Sequence, residues 1–235
     1  MASIYTVNSS DLTNLASAIR SKTGTSASLM YTADFISEID GIKAGLSEKD
    51  WVERTFSEYI NTTKTGENLT AQWYAFAYMS NLEKIEITNL YWASNHFADC
   101  CPLLSCISLP ACNEIGDYAF HSCKSLSSVN FPACTAVDAS AFAECDSLSL
   151  ASFPVCANIG YAAFMSCYNL LNLYLASTSV CELIYSNAFT STPIGGYTAS
   201  TGGVYGSIFV PASLVDSYKS ATNWATYADR ITAIV

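Results

Sequence analysis

Charge is what this sequence has least of. Only 13% of its 235 residues are charged, and cations are the scarcer sign, 10 against 20 acidic residues, for a formal net charge of −10 and a pI near 4.4. A nucleic-acid partner is held by many Lys and Arg against phosphates, so none is expected. Apolar runs of about 18 residues, long enough to span a bilayer, are missing, so membrane insertion is not expected either. The opening Met1-Ala-Ser-Ile-Tyr-Thr-Val7 lacks a basic segment followed by an apolar core, and no secretory signal is visible. Histidine is scarce too, with only His96 and His121. No H-E-x-x-H, no phosphate-cradling glycine loop and no Ser, His and Asp set around a nucleophile elbow is found. Neither an enzyme activity nor a cofactor is therefore expected.

What the chain has in abundance is repetition. Leu104-Ser-Cys-Ile107-Ser-Leu109-Pro110-Ala-Cys112 returns as Leu126-Ser-Ser-Val129-Asn-Phe131-Pro132-Ala-Cys134 and as Leu148-Ser-Leu-Ala151-Ser-Phe153-Pro154-Val-Cys156, each time at the same spacing. The leucine column runs Leu82, Leu104, Leu126, Leu148, Leu170, and the next runs Ile85, Ile107, Val129, Ala151, Leu173. A fixed period of this length with L-x-x-L-x-L-x-x-C is the signature of a leucine-rich repeat solenoid. The expected fold class is an α+β solenoid of 22-residue coils with one short strand per coil, an N-terminal helical hairpin and a C-terminal helical cap. An Ala-Phe corner marks each coil at Phe76, Phe120, Phe142, Phe164 and Phe189, with Phe97 one residue out of register. Five residues ahead of it, Ile115, Val137, Ile159 and Ile184 are expected to point inward.

The ten cysteines also fall in columns, Cys101, Cys123, Cys145, Cys167 and Cys112, Cys134, Cys156. Stacked copies of one small apolar side chain read as free buried thiols. Disulfides between coils would need a dihedral that parallel Cβ vectors do not give. A metal is not expected, because no His joins these columns.

Residues 1–46 stand apart. Ser10 caps an amphipathic stretch, Asp11 to Arg20, and Thr32 precedes a second, with Phe35, Ile36, Ile39 and Ile42 on one face. Two narrow apolar faces make a hairpin for attachment or oligomerisation, packing on the first coil or on another chain. Residues 47–211 hold the solenoid. Its first stretch is the most charged, with a strand expected at Phe56–Ile60, and the sequons at Asn61 and Asn68 read as ordinary loop residues. Residues 190–207 interrupt the Phe189 coil with ten extra residues rich in Gly, Ser, Thr and Tyr; such insertions serve binding or are plain surface loops. Residues 212–235, with Tyr218, Trp224, Tyr227 and Ile231, read as a helical cap over the open end.

The pattern Ile-Gly-x-x-Ala-Phe-x-x-Cys-x-x-Leu-x-x-Val-x-Phe-Pro, from Ile115 to Pro132, resembles the BspA-type leucine-rich repeat. That resemblance covers roughly Leu69 to Pro211 and implies a solenoid that binds proteins or surfaces without catalysis. The end of the chain, Ile208 to Trp224, is similar to a terminal cap of such proteins in gut bacteria and their phages. Asp11 to Gly24 resembles the N-terminal segment of phage tail-associated proteins, which implies attachment to other virion or surface proteins through residues 1–46. Location in a virion or on a bacterial surface follows from these resemblances, and lysis would account for the missing signal.

The residues that the pattern leaves free are the candidates for binding. Alternation along each strand turns one residue per coil outward between the buried columns. Those residues are Glu86, Ser108, Asn130, Ser152, Tyr174 and Phe209, with Asn172 in the neighbouring outward column. With the loop tyrosines Tyr197 and Tyr205 they form a ribbon that is charged at one end, hydroxyl-rich in the middle and aromatic at the other. A host-surface protein or glycan is the expected ligand, and Tyr and Phe would be its anchors. An unused, soluble sheet face would also be rich in small polar residues. His96 and His121 read as exposed coil residues, and Asp117, Asp138, Glu144 and Asp146 as solvated charges on turns. The readings left open are a phage receptor-binding component, a bacterial surface adhesin, and a structural spacer assembled, as a homo-oligomer or with other proteins, through residues 1–46.

Overall fold

A computed structural model describes residues 69–234, apart from Gln72 and Asn81. They lie in the second of two compact units, Met1–Thr65 and Gly66–Val235. The helices expected within residues 1–46, the strand expected at Phe56–Ile60, the sequon at Asn61 and the Asn68 of the second sequon fall outside the described residues.

Each coil carries two strands where the repeat suggested one. The back ladder is parallel and six-stranded: β1 (Leu69–Thr70), β3 (Leu90–Ala93), β5 (Glu114–Ile115), β7 (Ala136–Val137), β9 (Asn158–Ile159) and β11 (Glu182–Leu183). The front strands are β2 (Lys84–Glu86), β4 (Cys106–Ser108), β6 (Ser128–Asn130), β8 (Leu150–Ser152), β10 (Asn172–Tyr174), β12 (Ser207–Val210) and β13 (Ile231–Ala233). Most back strands are two residues long and show only one inward side chain, Ile115, Val137 or Ile159, so no alternation betrays them in the sequence. Pairing follows the repeat period, as in Lys84 with Cys106, Ser128 with Leu150 and Glu114 with Ala136. The front ladder is broken once, because β2 and β4 pair only with each other while β6 begins a separate five-stranded sheet. Ile107, on β4 at this break, is half-exposed, whereas its counterparts Ile85, Val129 and Ala151 are buried.

Between the ladders runs a column of phenylalanine rings. Phe120, Phe142, Phe164 and Phe189 stack at 5.3, 5.5 and 5.6 Å with interplanar angles of 14° or less. A second pair, Phe131 and Phe153, stacks at 5.7 Å and leans on the first column. Phe97 has exchanged places with its alanine: Ala98 occupies the ring position of the other coils, and Phe97 meets Phe76 and Phe120 edge-on instead. The cysteine columns are more than apolar filler. Cys101, Cys123, Cys145 and Cys167 each donate S–H to a carbonyl of the preceding coil, and Cys112, Cys134 and Cys156 donate to the carbonyl two positions on. All ten cysteines are free, and only Cys106 is exposed. Burial pushes Cys101 up to about 12 and Cys112 up to about 11, which leaves almost no thiolate to react. Alkylation of the native protein is expected to label Cys106 quickly and half-buried Cys100 slowly, and the other eight only after denaturation; peptide mass mapping reads the result.

The corner turns use left-handed backbone at residues that are not glycine. Tyr74, His96, Tyr118, Ser140 and Ala162 form one such column, and Tyr78, Cys100, Ser122, Glu144, Ser166 and Ser191 another. This geometry costs about 1 kcal/mol per residue. In return the N–H turns along the solenoid axis: His96 donates to Asp117 O at 2.8 Å, Cys100 to His121 O at 2.8 Å and Ser122 to Ala143 O at 2.8 Å.

The spacing changes at the interrupted coil. Asn158 pairs with Glu182 and Asn172 with Ser207, so both ladders absorb extra residues there. Three fall before Phe189, which follows Phe164 at a longer interval than Phe164 follows Phe142, and the ten expected after it make up the rest. One consequence corrects the sequence reading: Leu183 is buried on β11 and Ile184 is 42% exposed.

The cap is less helical than expected. A 3-10 turn (Ala212–Leu214), the short helix α1 (Val215–Ser220) and a second 3-10 segment (Trp224–Arg230) lead to β13, which pairs with β12 and extends the front ladder. On the back, side chains take the place of a partner strand. Tyr218 Oη accepts from Cys181 N at 2.9 Å, Trp224 Nε1 donates to Cys181 O at 2.6 Å, Asn223 donates to Leu183 O at 2.7 Å, and Tyr227 donates to Ser186 O. These bonds satisfy backbone groups on the outer edge of β11 that would otherwise be open to another chain.

Candidate functional site

The front face sorts the predicted binding residues into three groups. Asn130, Ser152, Tyr174 and Phe209 are successive partners in one outward column of a single sheet, and Thr232 continues it. Asn172 lies beside them, in register with Leu150 and Ser207. Glu86 and Ser108 sit on the separate two-stranded ladder, where Glu86 is ion-paired with Lys84 at 2.8 Å. Tyr197 and Tyr205 belong to the loop and have other ring partners: Tyr197 lies 5.3 Å from Tyr168, and the Arg230 guanidinium stands 3.8 Å over Tyr205.

The aromatic end of the column is organised. Tyr174 and Phe209 stack face to face at 4.6 Å and 10°, both half-buried. Four strands at about 4.8 Å separation place Asn130 about 10 Å from Tyr174 and about 14 Å from Phe209, long enough for a few sugar rings or a short peptide. Residues 190–207 are anchored rather than loose. Thr192 and Ile194 are buried, and Thr192 Oγ1 bridges Phe189 O and Gly195 N. A Cβ at Gly206 would sit 2.7 Å from Leu170 O, so glycine is required where the insertion returns to β12.

A second cluster, at the corners, was not foreseen. Asp99, only 4% exposed, accepts hydrogen bonds from both histidines, His96 Nδ1 at 2.8 Å on Oδ2 and His121 Nδ1 at 2.9 Å on Oδ1. The histidines are therefore half-buried, not the exposed coil residues that the sequence suggested. His96 is sandwiched between Tyr74 at 4.5 Å and Tyr118 at 5.1 Å, both nearly parallel to it. His121 Nε2 lies 3.9 Å from Glu144 Oε1, and Glu144 is held by the Ser122 hydroxyl at 2.9 Å. Burial would raise the Asp99 pKa, but the bonds from His121 and His96 outweigh it and hold the carboxyl below its ordinary value. The same bond raises His121. One donor atom each from Asp99, Cys100 and His121 lies within 4.8 Å of the others, a set able to take up a metal ion.

The signal for this cluster was present in the numbering. His121 follows Asp99 by one repeat period, and the same period separates Tyr74 from His96 and His96 from Tyr118. The acidic turn residues also differ from the solvated charges expected. Asp117 accepts from Ala139 N at 2.9 Å. Asp138 is half-buried, and burial, Glu114 and Asp117, in that order, push it up to about 6. A folded state that holds this proton above the ordinary value near 3.9 loses stability as pH rises from about 4 to 6. Asp138→Asn is expected to raise the unfolding free energy from urea titration at pH 7 by about 1 kcal/mol once solvent screening is allowed for, and to change nothing at pH 3.5.

Two parallel ladders, paired mostly at the repeat period around stacked phenylalanines, give the described residues a repeat fold consistent with a leucine-rich repeat solenoid. Residues 91–202, just under half of the chain, match in six copies the family described as BspA type leucine-rich repeat region. A crystal structure of a leucine-rich repeat protein from Bacteroides ovatus is similar at 17% identity and a TM-score of 0.36, over 66% of this chain and 50% of that one. The chain thus spans half the length of that protein. No curated protein matches this sequence. No helix among the described residues is long and apolar enough to cross a membrane.

Proposed function

We propose that the protein is a non-enzymatic binding or adhesion module whose ligand, a host-surface protein or glycan, lies along Asn130, Ser152, Tyr174 and Phe209. The observation that carries this reading is the stacked Tyr174–Phe209 pair at the end of a weakly charged, hydroxyl-bearing column. Stacked rings offer a large rigid face to a sugar or a peptide at low entropic cost. Leucine-rich repeats support binding in general, and BspA-type repeats support display at a cell surface. Glu86 and Ser108 are secondary in this reading, since the break in the ladder separates them from the rest. Tyr197 and Tyr205 flank the ligand as part of the 190–207 loop. The finer reading, a phage tail component that recognises its receptor, rests on the resemblances of Asp11 to Gly24 and of Ile208 to Trp224.

The test is binding to a glycan array and to host surface extracts by wild type, Tyr174→Ala, Phe209→Ala and, as a control, Tyr161→Ala. Each of the first two changes is expected to weaken binding at least ten-fold, and the control to leave it intact. Unchanged binding by both, with loss of assembly on deleting residues 1–46, would make the solenoid a spacer.

A further inference from the structure

We propose that Asp99, Cys100 and His121 form a binding site for a divalent transition-metal ion of the zinc class. The three residues come from adjacent coils, brought together by the 22-residue register and by the left-handed turn at Cys100. Cys100 lies outside both cysteine columns, and no core role accounts for it. Carboxylate, thiolate and imidazole together form a borderline donor set that suits zinc and its neighbours and not calcium or magnesium, which take oxygen ligands.

The surroundings are those of a supported site. A ligating carboxylate is usually fixed by a hydrogen bond to its other oxygen. Here His96 Nδ1 holds Asp99 Oδ2, and His96 is itself clamped between the rings of Tyr74 and Tyr118. Oδ1 is left facing His121. Glu144, anchored by Ser122 and 3.9 Å from His121 Nε2, stands as a charge partner on the far side of the imidazole from Asp99. Binding is balanced in protons and charge. The Cys100 thiol releases its proton to solvent, the proton that His121 Nδ1 donates to Asp99 in the free protein passes through solvent to Nε2 on the side of Glu144, and thiolate plus carboxylate neutralise the dication. No other group of three His, Cys, Asp or Glu side chains among the described residues comes together in this way.

The test uses the full chain, reduced and stripped with a chelator, titrated with cobalt(II) without air. A thiolate-to-cobalt charge-transfer band is expected that saturates at one equivalent and is displaced by zinc. Cys100→Ser should abolish the band and Cys106→Ser should leave it intact. His121→Gln should weaken cobalt binding at least ten-fold. Far-UV circular dichroism of each metal-free variant establishes folding. If Cys100→Ser does not fold, the comparison passes to wild type and His121→Gln, where zinc should raise the urea midpoint of the first alone. Absence of a band in wild type, or a band that survives in folded Cys100→Ser, would overturn the site and leave Asp99 as a structural hydrogen-bond hub.

Discussion

Phe142→Ala is expected to lower the stability of the repeat unit by about 4 kcal/mol, at the upper end of core truncations. The ring is fully buried and has four aromatic neighbours: Phe120 and Phe164 stacked above and below, Phe131 and Phe153 leaning in from the front. What makes the loss large is that the site cannot collapse. Both ladders fix the coil spacing, so neither flanking ring can move along the axis to fill the space. In a repeat protein each layer is buried only by its neighbours, so the damage extends to the coils on either side. Equilibrium urea unfolding followed by circular dichroism measures the effect, and Phe142→Leu should recover more than half of the loss. A change below about 1 kcal/mol, the size of an ordinary surface or minor core substitution, would mean that the phenylalanine column is not the core.

Trp224→Ala is expected to lower stability by about 3–5 kcal/mol and to open the C-terminal end first. Trp224 is fully buried against Phe189 and Tyr218, and it is the donor that satisfies Cys181 O on the edge of β11. Truncation removes the largest buried side chain of the cap and leaves a carbonyl without its partner. Because the cap acts at an end, the expected signature is local: limited proteolysis should cut within residues 182–230 before the middle coils are touched. Trp224→Phe separates the two contributions, since it keeps most of the volume and loses only the hydrogen bond. It should cost about 1–2 kcal/mol.

How much of this was legible in the sequence depends on whether a residue repeats. Leu126, Phe131 and Cys134 recur with the period because every coil needs the same inward contacts, so the period and the core could be read directly. The second strand of each coil was hidden by its length: Ala136–Val137 has one inward residue and no room for alternation. The front column from Asn130 to Phe209 was legible because side chains alternate on any strand. Its interruption between Ser108 and Asn130 was not, since Ile107 is the same kind of residue as Ile85 and Val129. The cluster around Asp99 was overlooked for a different reason. Asp99, Cys100 and His121 each occur once in their columns, and a search for recurrence passes over such residues although the repeat offset itself brings them together. The cap was half read: Trp224 and Tyr218 bury as their pattern suggests, but Ile231–Ala233 continues a sheet where a helix was expected.

The break in the front ladder has a mechanical consequence. Behind it the back ladder runs on without interruption from β3 through β5 to β7, and the corner hydrogen bonds from His96 to Asp117 and from Cys100 to His121 also cross it, so the two halves stay joined at the back and the corner while the front strands are unpaired. A load that bends the repeat unit should concentrate its strain at that seam, with the back strands and the corner turns holding and the gap between Ser108 and Ser128 as the side that widens. An adhesive surface built this way would yield at one chosen place under shear while the strands bearing Tyr174 and Phe209 keep their spacing.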